Sequence, residues 1–281
     1  MKRVILVVLA AGLVAGQVGA AGAARFAKFK FQPEKKYIIS ILQQGEMTAS
    51  STGESDEQSG PFAAGNLKQS LKLKVDLQTF AVSSANTIPL SMRFHDLEME
   101  VKSGDQTITM PIPKDNLGEK EYQAELDDEG DIKILNDTSL IVPGAGAQQS
   151  LYQLLFLIPD LPEREIKVGD VFENEAKYPE GESGFGEGRM RYKVEKIDGD
   201  EVTISSVFNA TVTNPEAGLE ENAVGAKGTI IYSIKDKICK SIVSDMVINI
   251  AAKDPSDESG KEVKRVIVNK MHLVIKVKAV D

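Results

Sequence analysis

Residues 66–79, NLKQSLKLKVDLQT, alternate oily and polar side chains with a period of two. Leu67, Leu71, Leu73, Val75 and Leu77 share one parity, with Gln69 as the exception; Lys68, Ser70, Lys72, Lys74 and Asp76 share the other. This is a strand with one dry and one wet face, the pattern of an antiparallel sheet. The signature recurs at Tyr37–Leu42, Met190–Val194, Val202–Val212, Ile230–Ile234 and Ile238–Ile250. The last segment places Val263, Ile267, Met271, Leu273, Ile275 and Val277 inward, and Lys264, Lys270, His272, Lys276 and Lys278 outward. About a dozen strands, each dry on one side, need a shared interior. The expectation is an all-β, mainly antiparallel fold: a strongly curved sheet or partly closed barrel.

Breaks in the alternation carry further information. Leu90, Met92 and Phe94 share a parity, and Leu97, Met99 and Val101 take the opposite one, so a β-bulge is expected at His95 or Asp96. Hairpin turns are read at Asp127–Gly130, Asp198-Gly199 and Asp236-Lys237, and a turn at Val168-Gly169-Asp170. Pro111 and Pro113 keep 106–114 out of mid-sheet. Ala27, Phe29 and Phe31 read as the start of a strand, with Phe26 before it. Residues 48–61, 178–188, 214–227 and 253–261 read as polar loops.

One stretch has a different period. Leu151, Leu154, Leu155 and Ile158 fall at the spacing of one helix face, flanked by Tyr152, Phe156 and Leu157. Pro159 ends that helix. The chain then divides into a signal peptide at 1–23, an N-terminal β half at 24–145, a connecting helix at 146–160 and a C-terminal β half at 161–281. The halves, each of about 120 residues, are alike in outline, so a diverged internal duplication is a candidate history.

Lys2 and Arg3, the apolar run Val4–Val14 and the small residues Ala21-Gly22-Ala23 have the anatomy of a cleaved export signal. The apolar run is short for a span of about 20 residues. The expected mature protein is periplasmic or extracellular, with no stable membrane anchor. Loss of Lys2 and Arg3 moves the formal net charge from −9 to −11. Such an acidic chain repels phosphate backbones, which excludes nucleic acid as a partner. The single cysteine, Cys239, has no partner for an internal disulfide. It takes the parity of Ser241 and Asp245, where an inert thiol is expected.

No residue pattern here announces catalysis. The acidic cluster Asp127, Asp128, Glu129 and Asp131 lacks the full calcium-loop pattern, and the glycine-rich 178–188 has neither a phosphate-loop lysine nor a strand–turn–helix setting. His-Glu-x-x-His zinc motifs, Cys-x-x-Cys and Gly-x-Ser-x-Gly nucleophile elbows do not occur. No catalytic residue, metal or cofactor is assigned. Bulges gather near sites, so His95 and Asp96 join Leu151, Leu154, Leu155, Phe156 and Ile158 as the positions where ligand binding is sought first.

The run LIPDLPEREIKVGDVF, with Tyr192, the Ile197-Asp198-Gly199-Asp200 turn and the Gly228–Tyr232 strand, resembles a family of uncharacterised bacterial exported β-proteins carrying a domain of unknown function. More distantly it resembles the periplasmic lipoprotein carriers, in which a curved sheet encloses a greasy cavity beside helices. The surplus of inward aliphatics, the one greasy helix and the lack of catalytic motifs lead to the expectation of a non-enzymatic exported protein whose curved sheet binds an apolar or lipid-like small molecule, or an envelope protein. Two alternatives stand beside it: a structural or protein-interaction module with a fully packed core, and a hydrolase using convergent carboxylates.

Overall fold

A computed structural model describes residues 24–27, 30–52, 66–104, 106–110, 121–127, 132–135, 159, 161, 163–176, 185–214, 219–254 and 263–280. The expected export signal at 1–23, the helix expected at 146–160 and most of the 178–188 loop lie outside these residues. Among the described residues there is no helix.

The long strands are β2 (Lys36–Thr52), β3 (Asn66–Thr79), β4 (Ile88–Ser103), β10 (Phe185–Asp198), β11 (Glu201–Asn214), β12 (Leu219–Ser233), β13 (Ile238–Asp254) and β14 (Val263–Val280). Shorter ones are β1 (Ala24–Arg25), β5 (Gln106–Met110), β6 (Tyr122–Leu126), β7 (Ile132–Ile134), β8 (Glu165–Ile166) and β9 (Val171–Ala176). Twelve of them form one antiparallel sheet in the order β7-β6-β4-β3-β2-β14-β13-β12-β11-β10-β9. Strand β5 lies off this path, paired with the far end of β4. Two meanders are thus joined where the last strand, β14, pairs with β2 along its whole length. Strands β1 and β8 make a separate two-stranded ribbon.

The expected antiparallel all-β fold is present. The partly closed barrel is corrected to an open sheet, because β7 and β9 end the strand order unpaired with each other. Nor does the arrangement support an internal duplication. One side is built from six consecutive strands, the other from β2, β3 and β4 with short strands appended.

The bulge falls where the parity change places it. Lys72 pairs with Glu98 and Lys74 with His95, so β4 spends one residue more than β3. Asp96 takes the left-handed backbone, φ 51°, that accommodates the extra residue. The Asp198-Gly199 hairpin is also present, with Gly199 at φ 58°, and Lys237 turns the β12–β13 hairpin at φ 56°.

Other readings are corrected. Thr48–Thr52 belongs to β2, Leu219–Lys227 to β12 and Lys253-Asp254 to β13. Backbone pairing with neighbouring strands continues there although the side-chain pattern lapses. In β12 the inward residues Val224 and Ala226 are buried but too small to give a strong alternation. Cys239 is buried, not outward, because a register shift between Ile231 and Tyr232 brings it opposite Tyr232. Among the described residues 26–35 contain no strand. Phe26 and Phe31 instead fold beneath one end of the sheet.

That end is the base. Ile39, Leu77, Val75, Met92, Phe94, Val194, Val202, Ile204 and Ile275 are buried there. The Phe31 ring packs 5.2 Å from Tyr37 and the Phe26 ring 5.1 Å from Tyr232, centroid to centroid. The segment is tied down by polar links: Gln32 N–H donates to the Tyr37 hydroxyl at 2.8 Å, Ala27 N–H to the Tyr232 hydroxyl at 2.9 Å, and the Thr79 hydroxyl to the Gln32 carbonyl at 2.7 Å. Burial pushes the pKa of both tyrosines up to about 12.

Candidate ligand-binding face

The inward face changes character along the strands. Ile275 and Val277 of β14 are buried, whereas Leu273, Met271, Asn269 and Ile267 are only half-buried. On β2, Ile39 and Ile41 are buried and Met47 is half-exposed. On β13, Ile242 is buried, and Ser244, Met246 and Ile248 are not. The same parity that fills the base therefore continues beyond it as an apolar face that the described residues only partly cover.

Register aligns this face into rows. Met190, Phe208, Ala226, Met246, Met271 and Gly45 lie side by side on six adjacent strands. One step toward the base, Ser206, Gly228 and Ser244 form a run of small residues between that row and the packed isoleucines Ile204, Ile230 and Ile242. Small side chains between two rows of large ones make a shallow channel across the sheet. On its far side Phe208, Ala210, Val224 and Ala226 form a buried apolar cluster, with Ile248 half-buried against it.

Three glycines allow close approaches here; on Gly228 a Cβ would meet Ser206 Oγ and the Val243 carbonyl oxygen at 2.8 Å. A Cβ on Gly188 would stand 2.4 Å from the Phe208 ring, so the ring lies flat across strand β10. A Cβ on Gly45 would meet the Gln69 side chain at 2.8 Å, and so Gln69, the exception to the β3 alternation, folds over β2. Polar groups are sparse. Gln43 Nε2 lies 3.3 Å from Met271 Sδ, and the buried Asn269 Oδ1 has no hydrogen-bond partner. The thioethers of Met190, Met246 and Met271 are flexible and polarisable, suited to conforming to apolar partners of varied shape.

At the β9 edge stands Arg164. Its guanidinium carbon lies 5.0 Å above the centre of the Phe172 ring, and Phe172 stacks on Tyr192 at 5.0 Å. Arg164 Nε and Nη2 are buried and have no hydrogen-bond partner. By contrast, neighbouring Arg25 is paired with Glu163 at 3.3 Å.

His95 and Asp96 sit on the opposite, outward face of β4. Asp96 accepts a 2.6 Å bond from Lys74 Nζ, which holds its carboxyl below the usual range. His95 Nε2 lies 3.2 Å from Asp76 Oδ1, close enough for an ion pair, yet makes no hydrogen bond, so the two are misaligned. They belong to a row of exposed pairs that includes Lys72–Glu98 at 3.1 Å, and the bulge bends β4 there. Leu151, Leu154, Leu155, Phe156 and Ile158 lie outside the described residues. A depression of about 370 Å³ is lined by Gln44, Gly45, Lys68, Gln69, Ser70, Lys72, Glu100 and Lys102. Among the described residues no three His, Cys, Asp or Glu side chains gather as a metal site, and no helix is long and apolar enough to cross a membrane.

Sequence reading passed over both the methionine row and Arg164. The methionines were visible as inward residues of separate strands, but their adjacency depends on registers that no single strand encodes. Arg164, in a polar turn, carried no signal.

No family model matches this chain, and no curated protein matches it. Among solved structures it is similar to one titled lipid–protein interactions in lipovitellin, at 14% identity and a TM-score of 0.46, over 88% of this chain and 26% of that one. This chain therefore spans about a quarter of that protein.

Proposed function

We propose that this chain is a non-enzymatic binding protein that holds an apolar, lipid-like small molecule along the far half of its inward face. The observation carrying this reading is the row Met190, Phe208, Ala226, Met246 and Met271 beside the small residues Ser206, Gly228 and Ser244. Its centre, Phe208 and Ala226, is buried in a small apolar cluster, and half-buried Met190, Met246 and Met271 flank it. Apolar surface left half-covered is costly in water and marks a place where something binds. Binding happens outside the cytoplasm, the compartment to which the N-terminal signal directs the chain. An envelope protein that inserts an apolar segment is the competing occupant.

Organic extraction of the purified protein, with mass spectrometry of the extract, tests the reading. A co-purifying lipid in near-stoichiometric amount is expected, and Met246→Glu with Met271→Glu should abolish it. Repeated extraction of nothing, together with failure of an apolar fluorescent probe to bind, would defeat the small-molecule reading.

A further inference from the structure

We infer that the ligand is a long-chain carboxylate whose head group is gripped by Arg164; this rests on the apolar-channel reading above. Nε and Nη2 of a guanidinium lie on one side of it and form the fork that matches the two oxygens of a carboxylate. In Arg164 both of those nitrogens are buried and lack a partner. A buried charged donor left unmatched is expensive, and natural interiors rarely keep one without a use. Phe172 beneath the guanidinium fixes its plane, through a cation–π contact at 5.0 Å.

The position of this fork relative to the channel sets the rest of the ligand. Phe172 pairs with Tyr192, the next inward residue along β10 from Met190. A carboxylate on Arg164 therefore lies at the β9 end of the row Tyr192, Ser206, Gly228 and Ser244, one step toward the base from Met190, Phe208, Ala226 and Met246. From β9 to β13 is four strand spacings, about 19 Å, the reach of an extended long acyl chain. No large side chain stands along that line at Ser206, Gly228 and Ser244, and Ser206 Oγ closes over Gly228, where a Cβ would meet it at 2.8 Å. The head is anionic, and the tail unbranched and apolar.

Palmitate, hexadecanol and acetate separate the parts of this inference when each is titrated, below its aggregation concentration, against lipid-stripped protein and its Arg164→Gln and Arg164→Lys variants. The expected result is palmitate binding at least tenfold tighter than hexadecanol, with acetate far weaker than both. Arg164→Gln should remove the palmitate advantage and leave hexadecanol unchanged. Arg164→Lys, which keeps the charge without the fork, should retain only part of it. Equal affinity of wild-type protein for palmitate and hexadecanol would overturn the carboxylate assignment while leaving the apolar channel standing. Acetate binding as well as palmitate would overturn the amphiphile. Binding of neither long chain would defeat the channel itself. The wild-type palmitate-to-hexadecanol ratio decides the assignment even if a variant fails to fold.

Discussion

The base and the far half of the sheet share strands, parity and residue types, yet they differ in what covers them. At the base, Phe26 and Phe31 close over Tyr37, Ile39 and Tyr232, and their backbone is bonded to tyrosine and threonine hydroxyls. In the far half, Met271, Met246 and Met47 continue the same inward rows half-buried. The alternation of a strand thus decides which side is oily but not whether that side is a core or a binding surface. The covering segment decides that. The base fixes the fold, and the far half is left free to be selected for what it holds.

The sharpest way to break this comparison is truncation at matched positions. Ile39→Ala at the base should cost about 2–5 kcal/mol, read as a shift in the urea midpoint. Met271→Ala in the far half should cost less than half as much, because less of its surface is withdrawn from water. Equal losses would mean that the far half is packed core. Gly188→Ala comes next. The Phe208 ring must move away from the new methyl, a strain of about 1–3 kcal/mol, and probe binding in the channel should weaken with it.

Alkali should act on the base through its two buried tyrosines. Tyr37 and Tyr232 have folded pKa values near 12, above the ordinary value of 10.0. A raised pKa on an acid means that the folded state holds the proton more tightly. The stabilisation is therefore complete below pH 10 and lost as pH rises through 12. Urea midpoints measured across that window should fall, and Tyr37→Phe with Tyr232→Phe should flatten the slope. The smallest effect belongs to the outward face. Lys74→Ala removes the exposed pair with Asp96, and its urea midpoint should stay within error of wild type, since solvent screens such pairs.

Much of the base was legible in the sequence, because large β-branched, leucine and aromatic residues alternate there over long runs. The bulge was legible because one extra residue in β4 inverts the parity between Phe94 and Leu97. Strand ends were not, because Thr48–Thr52 and Leu219–Ala223 keep their backbone pairing after their oily residues give out. The inward position of Cys239 was hidden by a register shift, which a period-two count cannot detect without its partner strand. Channel and arginine fork were the least legible. Adjacency of Met190, Met246 and Met271 is a property of six strands at once, and the orphaned nitrogens of Arg164 appear only when every neighbour is placed.

Methionine methyl NMR addresses the central claim most directly, since Met92 is sealed at the base and several inward methionines lie in the far half. With ¹³C-methyl-labelled methionine, assigned by single Met→Leu substitutions, palmitate is titrated into lipid-stripped protein. The methyls of Met190, Met246 and Met271 should shift together and saturably, while that of Met92, fully buried at the base, stays in place. A Met92 signal that moves as far as theirs, or four signals that do not move at all, would contradict the division of this sheet into a sealed base and a ligand-holding far half.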